Sequence, residues 1–344
     1  MLVRKFDDKD YHSLIDFNKA VFDKRDQIEE SIVYRFYKNP YANQIAKEII
    51  VAVDATNKIV GQILVLPSEL YLDGEKYPVF FGMDFFLHSE YRNSLAGVIL
   101  GNKFKDLKYG YGIGLTDASL AIFKAFKYKI VGFIPKYIKI INILSVLLSL
   151  LSIRKKEVRK YSFPASISVD SGMFIRVFEA VGLTPEVGYW NKNLIEFGRS
   201  TDFIRWRYFY YPDKYFVYKY LPENEEEISK PSFFVVRPIV WKRLNCLLLV
   251  DYRFNSEDKA MFNNILKSSI KISAKLKLAA TITGCSLPSC ENILRKKRFF
   301  KFGRALEIVT KFQADKIDTD LNVDKVLATF ADADCDFFYG SDKW

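Results

Sequence analysis

A chain of 344 residues, 49% hydrophobic and 16% aromatic, has the material for large cores, and its length points to two domains. Thirty Phe and 21 Tyr against 16 Gly and 11 Pro speak against disorder, and four cysteines (Cys246, Cys285, Cys290, Cys335) without CxxC spacing, beside only two histidines, speak against a zinc site and for reduced thiols. A net charge of +11 predicts attraction to anionic partners, but charge alone does not choose among coenzyme A, nucleotide-linked sugars, tRNA and an acidic membrane surface.

The first residues lead straight into strand-like sequence with no apolar signal core, and the expectation is a cytoplasmic chain. Residues 2–6 predict an opening strand, and Asp7 to Asp10 supply cap chemistry for a helix carrying Tyr11, Leu14, Ile15, Phe17 and Phe22. A second helix over 28–37 closes at Asn39-Pro40, and strands over 49–53 and 59–66 follow. Residues 79–87 are almost all apolar, as suits a strand covered on both faces. Ser89, Glu90, Arg92, Asn93 and Ser94 then hand over to a helix carrying Val98, Ile99 and Leu100. A strand feeding a helix N-terminus is an anion site, and Arg92 adds a charge-assisted donor for a phosphate oxygen. Strand alternation places Asp84, Phe86 and His88 on one face. A glycine-rich strand at 109–115, a helix over 118–126 capped by Thr116 and Asp117, and a strand over 128–133 complete the half.

At Arg92-Asn93-Ser94-Leu95-Ala96-Gly97 the chain resembles the Arg/Gln-x-x-Gly-x-Gly/Ala turn of the GNAT acyltransferases, with Leu95 where that family commonly has its middle glycine. The order of elements is also that of a GNAT domain. The resemblance implies that Arg92, Asn93, Ser94, Leu95, Ala96 and Gly97 hold the pyrophosphate of acetyl-coenzyme A as co-substrate, and that strand amides near Phe86 and Leu87 stabilise the tetrahedral oxyanion. Phe123 stands about where the family has a tyrosine that protonates the leaving thiolate, and Lys127-Tyr128 replaces a Gly-Phe pair. An acceptor amine must lose a proton before it attacks a thioester, which makes Asp84 and His88 the candidate general bases, with Glu90 a third. A carboxylate bonded inside the sheet and a loop-edge imidazole are the competing readings of the first two.

Residues 137–153 are the most apolar in the chain. They predict a helix with Asn142, Ser145, Ser149 and Ser152 on one stripe, short for a membrane span and followed by Arg154-Lys155-Lys156 and Arg159-Lys160. The segment reads either as a packed connecting helix or as one lying on an anionic inner leaflet. The second half predicts a helix over 171–179, a strand over 194–197, and then Arg205-Trp206-Arg207-Tyr208 with Tyr210-Tyr211-Pro212 and Tyr215. This block resembles a signature of tandem-GNAT proteins associated with bacterial surface-polysaccharide genes. It reads as aromatic core packing or as a grip on a sugar or phosphate through Arg205, Trp206, Arg207 and Tyr208; no nucleic-acid motif accompanies it. A solvated acidic run at 223–227, strands at 233–241 and 247–252, a helix at 256–275, a strand at 279–283, a helix at 288–298 and a strand at 305–312 repeat the order of the first half. Asp332, Asp334 and Asp336 read as a solvated terminal turn, with a cation site as the alternative.

The expectation is therefore an α/β (α+β) chain of two GNAT-like domains, each a mixed, mainly antiparallel twisted sheet flanked by helices, over 1–136 and 161–344 with a connecting helix at 137–160. The implied activity is acyl-CoA-dependent transfer to an amine, an amino sugar on a nucleotide- or lipid-linked precursor, without a metal. A Fem-type transferase using aminoacyl-tRNA and a non-catalytic scaffold are the alternatives.

Overall fold

The computed structural model describes residues 1–22, 25, 27–41, 49–107, 109–151, 160–210, 214–223, 231–312 and 323–333. The chain opens with β1 (Leu2–Lys5), α1 (Tyr11–Val21) and α2 (Ile28–Ile32), the last running into one π-helical turn at Val33–Tyr37. β2 (Ile50–Val53), β3 (Ile59–Leu72) and β4 (Glu75–Leu87) follow as an antiparallel series. Asp73 and Gly74, both at positive φ, make the tight β3–β4 turn, so these strands run longer than hydrophobicity alone suggested. α3 (Ala96–Lys105) crosses to β5 (Tyr109–Ile113), which lies parallel to β4, and α4 (Asp117–Ala125) leads to β6 (Lys129–Ile134).

The second half contains β7 (Lys136–Ile140), α5 (Ile143–Leu151), β8 (Ser166–Val169), β9 (Gly172–Val177) and β10 (Ile195–Phe197). There follow α6 (Thr201–Ile204) with a π-helical turn at Arg205–Phe209, β11 (Phe216–Pro222), β12 (Phe233–Trp241), β13 (Leu244–Arg253) and α7 (Lys259–Lys275). β14 (Ala280–Gly284), α8 (Glu291–Lys296), β15 (Phe300–Lys301), β16 (Leu306–Phe312) and β17 (Val326–Leu327) complete it. The first sheet has the order β1-β2-β3-β4-β5-β16-β6, with β10 joined to β3 and β17 to β10; the second has the order β15-β7-β14-β13-β12-β11-β9-β8. Both are mixed and flanked by helices, in agreement with the expected fold class.

Three expectations are corrected. The helix expected over 137–153 begins only at Ile143, because Lys136–Ile140 pairs antiparallel with β14 and β15 and buries Tyr137. Residues 171–179 are not helical: Gly172, at φ +150°, turns the chain into β9, where Phe174 is buried and Met173 faces out. The strand at 306–312 does not complete the second copy. It inserts between β5 and β6, antiparallel to both. The second half thus lends β16, with β10 and β17, to the first sheet, and one buried cluster unites Leu64, Phe81 and Tyr111 with Trp206, Leu248 and Ile308. The basic run 154–159, Tyr211-Pro212, most of the acidic run at 223–227, Cys335, Asp334 and Asp336 lie outside the described residues.

Candidate acyl-transfer site

The strand-to-helix junction rests on a break in β4. Gln62 faces Phe86 and Leu64 faces Met83, so Asp84 and Phe85 together oppose Ile63 in a bulge, and Asp84 takes φ +48°. A buried polar layer fixes the bulge: Asn18 and Gln62 exchange amide bonds at 2.8 and 3.0 Å, and Gln62 reaches the Asp84 carbonyl at 3.5 Å. The Asp84 carboxylate accepts both terminal nitrogens of Arg25 at 2.8 and 2.7 Å, while Arg35 lies 3.4 Å away. With a side chain only 3% exposed, Asp84 is an enclosed, ion-paired anion. Short polar residues tolerate left-handed backbone, and the clasp supplies what such a conformation costs, about 1 kcal/mol or more.

β4 parts from β5 just ahead of the bulge. The two strands pair only at Phe80–Gly110 and Phe81–Tyr111, although β4 runs on to Leu87. His88 N–H donates to the Val60 carbonyl at 2.8 Å, and antiparallel alternation then turns the N–H and C=O of Leu87 away from β3, into the gap. Phe86 has the opposite parity, so of the two amides named from the sequence only that of Leu87 faces the gap. The Leu87 carbonyl accepts Arg92 Nε at 3.3 Å, and the Arg92 guanidinium lies over the Phe86 ring.

α3 begins beside this gap without a side-chain cap. Its first turn carries no acidic residue, Leu95 has ordinary right-handed backbone and a side chain in solvent, and a Cβ built on Gly97 would meet nothing within 4 Å. Leu95 therefore needs none of the conformational freedom of glycine. Ser94 Oγ accepts the Ala96 N–H at 3.2 Å, and Asn93 and Arg92 stand exposed beside it. Open amides at the positive end of a helix, with an arginine alongside, suit an anionic phosphate.

The two candidate bases are not brought together. Asp84 faces Arg25 and Arg35, whereas His88 is 41% exposed with Nδ1 3.8 Å from Glu90. Phe123 is buried against Phe104 and Tyr128 in the second layer.

The second copy repeats this plan and closes it. Asp251 pairs with Val235 next to a bulge at Val250, whereas Asp84 lies inside the bulge of β4, and Asp251 accepts Arg199 Nε at 2.7 Å and Arg253 Nη1 at 2.7 Å. Thr329 donates to it at 2.8 Å, Tyr208 adds its hydroxyl, and Asp332 binds Arg199 at 2.6 Å. Burial alone would push the Asp251 carboxyl up; the charges of Arg199 and Arg253 outweigh it and hold the group well below the usual carboxylate range. Asp332 is thus no solvated turn, but one end of a buried network. At α7 the Asp258 carboxylate accepts the Met261 N–H at 2.8 Å, so a negative charge already stands where an anion would bind.

The Arg205–Tyr208 block is spent on packing. Arg207 and Tyr208 are 1% exposed, Arg207 donates to the Tyr215 hydroxyl at 2.9 Å, and Trp206 stacks on Tyr34 at 4.9 Å. Reciprocal bonds run from Tyr34 Oη to the Trp206 carbonyl and from Trp206 Nε1 to the Tyr34 carbonyl. Burial leaves Trp206, Arg207 and Tyr208 no surface to offer a substrate; Arg205 alone reaches solvent, paired with Asp202.

Sequence reasoning missed Arg25, Arg35, Asn18 and Gln62. A signal existed in the repeat itself: Asp84-Phe85-Phe86-Leu87-His88-Ser89-Glu90 parallels Asp251-Tyr252-Arg253-Phe254-Asn255-Ser256-Glu257, and Tyr34-Arg35 parallels Trp206-Arg207.

No family profile and no curated protein matches the sequence. Solved structures do. A probable N-acyltransferase from Enterococcus faecalis V583 aligns with TM-score 0.61 at 12% identity, covering 90% of this chain and 72% of that one. A GCN5-related N-acetyltransferase from Anabaena variabilis aligns with TM-score 0.58 at 13% identity over the same shares. N-myristoyltransferase of Saccharomyces cerevisiae with bound myristoyl-CoA aligns with TM-score 0.57 at 11% identity, covering 90% of this chain and 82% of that one. The fold is that of the GNAT-type acyltransferases.

Proposed function

We propose that the chain is an acyl-coenzyme A-dependent N-acyltransferase whose donor site is the gap between β4 and β5. The observation that carries this reading is the convergence, at the first junction alone, of an inward-facing Leu87 amide, an uncapped α3 N-terminus and the exposed Arg92. The residues present fit the donor: the α3 amides with Arg92 hold the pyrophosphate, and Leu87 N–H meets the developing oxyanion. His88, open to solvent at the end of β4, takes the proton of the acceptor amine, directly or through water. Asp84 fixes the bulge that aims Leu87. Acetyl is the proposed acyl group, and an amino sugar of a surface-polysaccharide precursor the proposed acceptor. Calorimetric titration with acetyl-coenzyme A tests this: micromolar binding, weakened about tenfold in Arg92→Ala, supports it. Absence of binding overturns it, and salt-sensitive tRNA binding in the same experiment would favour an aminoacyl-tRNA ligase.

A membrane contact is proposed on a separate observation. α5 has nine residues, yet Ile143, Leu144 and Leu147 are exposed, and the sequence beyond it is basic. An apolar helix face beside lysines and arginines suits an anionic lipid surface. Among the described residues no helix is long and apolar enough to cross a membrane. Co-sedimentation with phosphatidylserine vesicles at low salt, lost in Leu144→Glu, is the expected result; no co-sedimentation removes the contact.

A further inference from the structure

A cavity of about 730 Å³ lies between β11, the first turns of α7 and residues 182–187, and it shares no residue with the β4–α3 junction. Three features mark it as a binding site rather than a packing gap. Asn264, on the α7 wall, is only 3% exposed, yet its Oδ1 has no hydrogen-bond partner among the described residues. Buried amide oxygens are nearly always bonded, so one left open on a cavity wall calls for a partner from outside the chain. Lys219, on β11, makes no ion pair among the described residues and sets its ammonium against Gly182, where a Cβ would come within 2.8 Å of Nζ. Tyr220 and Met261 add apolar surface between these two groups.

The chemistry of the walls narrows the ligand. Lys219 calls for an anionic group. The carboxamide both donates and accepts, which suits hydroxyl groups, and the ring and thioether suit the C–H face of a compact, non-aromatic body. Asp258 also lines the cavity, but its carboxylate already caps α7. We infer that this cavity binds a polyhydroxylated anion of the sugar-phosphate class, with the phosphate at Lys219 and a hydroxyl at Asn264. The inference stands independently of the acyl-transfer reading.

The test is calorimetric titration of the full chain with glucose 6-phosphate, glucosamine 6-phosphate, glucose and inorganic phosphate. A hexose phosphate binds at least tenfold more tightly than inorganic phosphate or glucose, and Lys219→Met and Asn264→Leu each weaken it at least tenfold. Asn264→Leu melts no lower than the wild type, since it removes a buried amide oxygen without a partner among the described residues. Should it melt early, Lys219→Met, a change on the half-exposed wall, still decides the matter. Absence of binding by both hexose phosphates, equal affinity for inorganic phosphate, or unchanged affinity in Lys219→Met overturns the inference.

Discussion

The two strand-to-helix junctions of this chain start from one plan and end in opposite states. Each has a β-bulge, an aspartate in or beside it, and an arginine that precedes a short helix and grips that aspartate: Arg25 with Asp84, Arg199 with Asp251. In the first junction the strands part and the next helix begins uncapped. In the second, Arg253 and Thr329 converge on the aspartate, Asp332 pairs with both arginines, the Tyr252 hydroxyl bonds the Gly284 carbonyl on the next strand, and Asp258 caps the helix. The bulge and clasp are therefore scaffold. What separates the proposed ligand site from the structural joint is whether the polar groups beyond the clasp are satisfied by other described residues.

The largest effect is expected at the closed joint. Asp251→Asn leaves two buried arginines, Arg199 and Arg253, to share the Asp332 carboxylate and lowers stability by about 3 to 5 kcal/mol, read from urea unfolding at pH 7. The pH dependence has a definite sign. The folded-state pKa of Asp251 lies below its unfolded value, so the stabilisation is complete above about pH 4 and fades as the pH falls toward the folded value. The gap between wild type and variant therefore narrows in acid; a gap that widened would contradict the network.

Asp84→Asn should cost less, about 2 kcal/mol, because its partner Arg25 is less completely buried than Arg199. Its signature lies elsewhere. Loosening the bulge misdirects Leu87, so acyl-transfer kcat falls more than acetyl-coenzyme A affinity; equal losses would assign Asp84 to donor binding instead. Converting the open junction toward the closed one sharpens the comparison: Leu95→Asp places a carboxylate at the α3 N-terminus and weakens acetyl-coenzyme A by about tenfold without lowering the melting temperature. Smallest of all, Asp258→Ala removes the α7 cap and costs about 1 kcal/mol by thermal unfolding, yet creates no coenzyme site, since the rest of that junction stays filled.

Much of the first junction was legible in the sequence. The apolar run ending at Leu87, the break at Ser89 to Ser94 and the return of apolar residues at Val98 fix a strand, a turn and a helix through local preferences. The bulge was not legible, because Asp84 fits an alternating strand as well as a broken one, and only the register of β3 against β4 tells them apart. That register also decided which of Phe86 and Leu87 presents its amide. The Arg205–Tyr208 block misled for a related reason: exposed and buried arginines look alike in sequence, and Arg207 is inside because Tyr215 lies within its reach.

By itself the sequence determined the order of elements, most of their boundaries and the caps at Asp7 and Thr116, since these depend on neighbours within a turn or two. Tertiary structure alone decided that β7 serves the second sheet and β16 the first, and that the second junction is sealed by residues more than seventy positions further on. A strand carries its hydrogen-bonding potential along both edges without naming its partner. The partner is chosen by which faces the folded chain brings together, and that choice left one junction open and closed the other.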